Sequence, residues 1–197
     1  RDHAHLRILV ALGSDGQRRY TEAVNTGPLA LTFEVATIAT VISSVLGIAI
    51  GALLGRSTFR GRNVIDVLIT SPMVLPPTVL GYYVLVALGR RSPIGIAYES
   101  LTGSTIVFSF VGATVAAVLG ALPIVAKSSR AALEAVDVNL VLAARTLGAT
   151  PMRAFLTVHV PLAMRGISAG IALGFARSLG DFGVTLMVAG DIPGETQ

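Results

Sequence analysis

Arg177 and Asp181 stand four residues apart inside the apolar run 162–188. Four residues separate side chains on one helix face, and a charge deep in a bilayer is costly enough to need a partner or a wet cavity. Two uses fit. The two charges neutralise each other as a structural pair, or Arg177, with Ser178 and Asp181 beside it, helps an anion pass. A second candidate is the group Pro76, Pro77 and Thr78, preceded by Pro72, inside the apolar run 64–88. Prolines remove backbone hydrogen bonds, and at membrane depth such a break survives only where protein or a water-filled path covers it. A structural kink and a bend that lines or gates a path are both open readings.

The third candidate is a polar interruption, residues 143–161, lying between two long apolar segments. Upstream of it Leu133, Val136, Leu140, Ala144 and Leu147 recur in steps of three and four, which predicts an amphipathic helix over 133–147. Gly148 follows the last periodic residue and can adopt the left-handed conformation that ends a helix. Thr150 is placed to cap a new helix, and Pro151 suits its first position, where no N–H is needed. The predicted unit is helix, tight turn, helix, with 152–161 leading back into the membrane. Ala143, Ala144, Arg145, Gly148, Ala149, Thr150 and Pro151 present a shape suited to a groove on a soluble partner.

Catalytic chemistry finds no support. The only lysine, Lys127, precedes Ser128 but lacks the upstream glycines of a phosphate loop, and no GxSxG, HExxH or glycine-flanked aspartate pair occurs. His3, His5 and His159 do not form a metal constellation and read as surface histidines. With no cysteine there is neither a disulfide framework nor a thiolate site. No cofactor is expected on this chain.

The elements that must position these residues are membrane helices. Only 13% of the 197 residues are charged and 53% are hydrophobic, and the mean hydropathy is +0.75; a soluble domain carries about twice that charge. The net charge of +4 does not indicate nucleic acid, because the arginines are scattered through short loops. After an extramembrane lead-in, 1–28, the predicted spans are 29–54, 64–88, 104–126 and 162–188, with 89–103 as a loop. Gly47, Gly51 and Gly55, and again Gly166, Gly170 and Gly174, leave one helix face nearly bare for close packing. Glu34 and Asp66 lie near span ends and are expected to reach interface water. The short loops 55–63 and 127–157 carry three and four Lys/Arg, against two in 89–103 and none in 189–197. The first two therefore face the cytoplasm and both chain ends lie outside, although Arg7, Arg18 and Arg19 pull the other way.

The stretch from Ala143 to Gly148, with Val158, Val160 and Pro161 downstream, resembles the EAA loop of permeases from binding-protein-dependent ABC importers. The segments 71–82 (SPMVLPPTVLGY), 89–91 (GRR), 175–183 (FARSLGDFG) and 192–196 (IPGET) resemble the molybdate permeases, with the sulfate and tungstate permeases close by. The resemblance covers about 29–197. It implies an all-α, polytopic bundle of the type I (MetI-like) importer kind in the inner membrane, lacking one final span beyond this sequence. It further implies a permease homodimer, two ABC ATPase subunits that use ATP and Mg at the cytoplasmic face, and a periplasmic molybdate-binding protein. One departure stands out: Leu142 occupies the slot where the family has glutamate. Two other classes remain alongside, an ion-driven secondary transporter and a purely structural membrane subunit.

Overall fold

Residues 110–134 form the axis of the molecule, and the two glycine ladders explain why. The computed structural model describes residues 29–55 and 60–190; the lead-in with His3 and His5, Arg56, and the 192–196 motif lie outside the described residues. Helix α1 runs Leu29–Gly55, α2 Arg62–Val74, α3 Pro77–Leu88, α4 Pro93–Thr102, α5 Phe110–Glu134 and α6 Val138–Thr146. Helix α7, Pro151–Ala154, continues through a π-helical segment, Phe155–His159, into α8, Val160–Leu179, and α9 is Phe182–Ala189. Among the described residues every regular element is helical, so the all-α expectation holds.

Both ladders press on α5, from two sides. A methyl group at Gly47 would meet the Val125 side chain at 2.9 Å, and one at Gly51 the Ala126 carbonyl oxygen at 2.8 Å. On the α8 side a methyl at Gly166 would meet the Ala132 methyl at 2.6 Å, and Gly174 faces Val125 in the same way. Bare backbone on α1 and α8 lets dispersion contacts form at backbone distance, the usual source of helix association where the solvent is itself apolar. Ala116, Ala117, Ala121, Val125 and Ala126 of α5 are correspondingly buried.

Five expected elements differ from the observed ones. The second span, 64–88, is two helices bent by 117° at Leu75 and Pro76. Pro76 forces Leu75 into an extended conformation (φ −73°, ψ 139°), whereas Pro72 sits inside α2 without breaking it. The carbonyl of Leu68, which loses its helical donor to Pro72, accepts instead from Ser71 Oγ at 2.8 Å. The expected loop 89–103 contains α4, capped by Ser92 Oγ accepting from Gly95 N at 2.9 Å and ended by Gly103 at φ 71°.

The third span begins and ends later than 104–126. Ser109 caps α5 at its start, accepting from Gly112 N, and Phe108 N bonds Val188 O at 2.9 Å instead of continuing a helix upstream. At the other end α5 carries on through Lys127, Ser128, Ser129 and Arg130, because these polar residues are covered or paired. Ser128 lies under Gly170 and Ser129 under Gly51. Lys127 pairs with Asp66 at 2.9 Å, and Arg130 with Asp66 at 3.4 Å and Glu134 at 2.8 Å. Arg62 closes the network on Glu134 at 3.0 Å. Asp66 is thus an interhelical tie between α2 and α5, not a carboxylate reaching for interface water. Glu34 is exposed.

The expected amphipathic helix 133–147 is split. Leu133 belongs to α5 and is buried against Ala163 and Ile167. A new helix starts only after Asp137, whose Oδ1 accepts from Asn139 N at 2.9 Å. The fourth span, 162–188, is likewise divided: a helical run from Pro151 to Leu179 stops at Gly180, and α9 resumes after Asp181, which has φ −85° and ψ 69°.

Candidate functional site

Two groups of residues emerge, one at the end of the bundle and one at its middle. The first is the turn between α6 and α7. Gly148 has φ 91°; its N–H donates to Arg145 O at 3.0 Å, and Ala149 N donates to Ala144 O at 3.1 Å. This pair of reversed bonds satisfies the carbonyls left open at a helix C-terminus and requires a left-handed residue at position 148. Thr150 Oγ1 then accepts from Arg153 N at 3.3 Å, with Pro151 as the first helical residue. Ala143, Arg145, Gly148, Thr150 and Pro151 are exposed, and Ala144 and Ala149 are half-buried. The apolar side chains beside them are left open as well: Leu142, Leu147 and Met152 are 48%, 89% and 65% exposed. An unpartnered apolar surface on a rigidly capped hairpin has the shape and chemistry that a groove on a soluble protein can take.

The second group lies at mid-depth. Gly120 stands ten residues after Phe110 and fourteen before Glu134, so at about 1.5 Å per residue it is roughly 15 Å and 21 Å from the ends of α5. A methyl at Gly120 would sit 2.8 Å from Asp181 Oδ2 and 3.6 Å from the Arg177 guanidinium carbon. Arg177 pairs with Asp181 at 3.1 Å; the Asp181 side chain is 1% exposed and that of Arg177 34%. Neither carboxylate oxygen receives a well-formed hydrogen bond, and Ser178 Oγ is buried without a partner. Gly120 is therefore a cradle that admits the carboxylate to the α5 surface. Asp181 occupies the break between α8 and α9, not a continuous helix face as the spacing suggested.

The two broken helices meet here. A methyl at Gly183 would lie 2.8 Å from the Pro77 side chain, and one at Gly81 would lie 2.8 Å from Met187, so α3 and α9 pack directly beyond their breaks. Pro76, Pro77 and Thr78, all exposed, are thereby brought to the same neighbourhood as Asp181. Ser178 and Asp181 face inward, while Arg177 keeps one side open.

Sequence reasoning missed two further contacts. The Asp66, Lys127, Arg130, Glu134 and Arg62 network was legible only in part, through the four-residue spacing of Arg130 and Glu134. His159, expected at the surface, is half-buried, with Nε2 at 2.8 Å from Leu133 O. No local pattern announces a bond between residues so far apart in the chain. Among the described residues no cluster of His, Asp or Glu could hold a metal ion.

The chain is similar to several known proteins over most of its length. Residues 47–196 match the family of binding-protein-dependent transport system inner membrane components. The molybdenum transport system permease protein ModB of Escherichia coli K12 is 45% identical over 167 residues, covering 85% of this chain and 73% of the relative. That of Haemophilus influenzae is 42% identical over the same shares. A probable sulfate transport system permease protein, cysT of Anthoceros angustus, is 31% identical over 88% of this chain and 60% of the relative. The crystal structure of an amino acid ABC transporter with histidines aligns with a TM-score of 0.61 at 21% identity, covering 89% of this chain and 78% of that one, a likeness of fold. With its membrane helices, its exposed capped hairpin and these relatives, the chain belongs to the binding-protein-dependent transport system inner membrane components, the permease subunits of ABC importers.

Proposed function

We propose that this chain is the permease subunit of an ATP-driven importer that takes up molybdate across the inner membrane. The reading is carried by one observation: an apolar, exposed hairpin with a fixed turn at Gly148 in a chain whose relatives at 42–45% identity are named molybdenum permeases. The permease acts as a homodimer. Two ATPase subunits seat on the hairpins at residues 143–151 and supply ATP and Mg chemistry, and a periplasmic molybdate-binding protein delivers the anion from the other face. This chain binds no cofactor of its own. Closure of the ATPases on ATP moves both hairpins, and the bundles rock between two arrangements that expose the central path to opposite sides. The breaks at Pro76, Pro77 and Thr78 and at Arg177, Ser178 and Asp181 are the gate and path elements. Selectivity rests largely with the delivery protein, so the path itself needs no tight anion site.

A sulfate or tungstate importer is the second reading, favoured by the 31% identity to a sulfate permease. Direct binding of molybdate, tungstate and sulfate to the cognate binding protein decides between them: nanomolar molybdate with weak sulfate supports the proposal, and the reverse order replaces it.

The hairpin makes its own prediction. Gly148→Pro fixes φ near −65° where 91° is required and removes the N–H that bonds Arg145 O. Uptake by the assembled complex is expected to fall by about five- to thirtyfold with the permease still dimeric, the scale of about 1–2 kcal/mol for a lost helix C-cap. Unchanged ATP-driven uptake would remove the turn from the coupling route.

A further inference from the structure

The coupling hairpin, residues 135–154, leaves the bundle at the end of α5 and returns at the π-helical segment. Its two feet are joined. His159 Nε2 lies 2.8 Å from Leu133 O, and a carbonyl has no hydrogen to give, so the Nε2–H donates and the ring's tautomer at that atom is set. Leu133 O also accepts a longer bond, 3.3 Å, from Val136 N, the first strand of chain leaving α5. The imidazole is held edge-on by Phe155, with ring centroids 5.7 Å apart at 71°. Phe155 in turn packs on the cluster of Leu133, Ala163 and Ile167. A π-helical turn inserted in a long helix commonly marks a functional position, and here it carries the ring that reaches across to α5.

We propose that His159 is a positioning residue that clasps the two feet of the hairpin, so that a displacement of the hairpin moves α5 and the 151–179 helix together instead of spreading them. The inference rests on the proposed docking of an ATPase at residues 143–151, and it adds the joint through which that motion enters the membrane. Without the clasp a pull on the hairpin is absorbed by local opening at residues 135–137, where α5 has ended and α6 has not begun. The axis helix α5, against which both glycine ladders pack, would then receive only part of the movement.

Two variants and two readouts test this. In His159→Leu the ring donor is lost, whereas His159→Gln retains an N–H able to reach a carbonyl. Amide hydrogen exchange on the purified full-length permease is expected to show residues 133–138 and 155–160 exchanging about tenfold faster in His159→Leu, the scale of one half-buried hydrogen bond. The Gln variant should stay near wild type. Equal exchange in all three proteins overturns the clasp. In proteoliposomes holding permease, ATPase and binding protein, molybdate taken up per ATP hydrolysed should fall about fivefold to tenfold in His159→Leu at unchanged complex content, and recover in His159→Gln. An unchanged ratio, or uptake and hydrolysis falling in proportion, assigns His159 a purely structural role and overturns the proposal. A wild-type complex that shows no ATP-dependent uptake contradicts the importer reading, and the exchange experiment still decides the clasp.

Discussion

Replacing Arg177 by glutamine should destabilise the folded permease by about 2–4 kcal/mol, and Arg177→Gln combined with Asp181→Asn should recover most of that loss. The Asp181 carboxylate is almost wholly enclosed, cradled by Gly120 at mid-depth, and Arg177 is the cation that faces it. Breaking a buried pair by removing one partner costs roughly 3–5 kcal/mol because the other charge is left uncompensated. The figure here is lower since Arg177 itself is a third exposed. Asp181→Asn alone keeps the shape that fits against Gly120 and leaves behind a cation with one open side, so its cost should be the smaller of the two. The asymmetry is the diagnostic part. Thermal unfolding in detergent for the two single variants and the double variant measures it as a coupling energy. Equal losses that simply add would mean that the pair does not hold the break between α8 and α9 in place.

The second large effect belongs to the glycine ladders, and it should differ sharply within one ladder. At Gly51 a methyl group would lie 2.8 Å from the Ala126 carbonyl oxygen and 2.9 Å from Arg130 N, both backbone atoms that cannot turn aside. Gly51→Ala should therefore push α1 off α5, at the roughly 1–3 kcal/mol of an overpacked contact, and Gly51→Leu should prevent folding into the bundle. Four residues on, Gly55 meets nothing among the described residues nearer than the Glu134 side chain at 3.7 Å. There alanine fits, and at the last residue of α1 it should leave stability within about 0.5 kcal/mol of the wild type. Unfolding midpoints of the two alanine variants, side by side, check the contrast; similar values at the two positions would show that α1 does not press on α5 at Gly51.

These cases also show what could be read from the residues and what could not. The ladders were legible because a four-residue repeat of glycine leaves little other use in an apolar helix. The Gly148 turn was legible because cap, left-handed residue and N1 proline each have a local reason and fall in order. The boundaries of the spans were harder, since a charge or serine in an apolar run marks either the edge of the membrane or a covered position. Lys127 and Arg130 looked like an edge and are paired with Asp66, so α5 runs on to Glu134. Asp181 looked like a helical residue and instead occupies a break. The helix expected over 133–147 joined two real periodic segments across Asp137, whose capping role was the missed signal. The bond from His159 to Leu133 depends on the tertiary return of the chain, which no local pattern encodes.

The mid-depth meeting of α3 and α9 gives these local features a common purpose. Both helices begin at a break, both pack through glycine at the point of contact, and the enclosed carboxylate of Asp181 lies beside them. Irregular backbone at membrane depth is sustained only where protein buries it or a water-filled cavity adjoins it, and Asp181 at the α9 break is buried. The hairpin between α5 and α8 is the surface on which we propose that a soluble subunit biases the arrangement of the bundle.

The most direct test of the whole account is uptake of radiolabelled molybdate by proteoliposomes containing this permease, its ATPase and its binding protein. Uptake should require internal or external ATP on the ATPase side together with the loaded binding protein, and should be indifferent to a proton or sodium gradient. Molybdate accumulation that persists without the ATPase and follows an imposed ion gradient would contradict it.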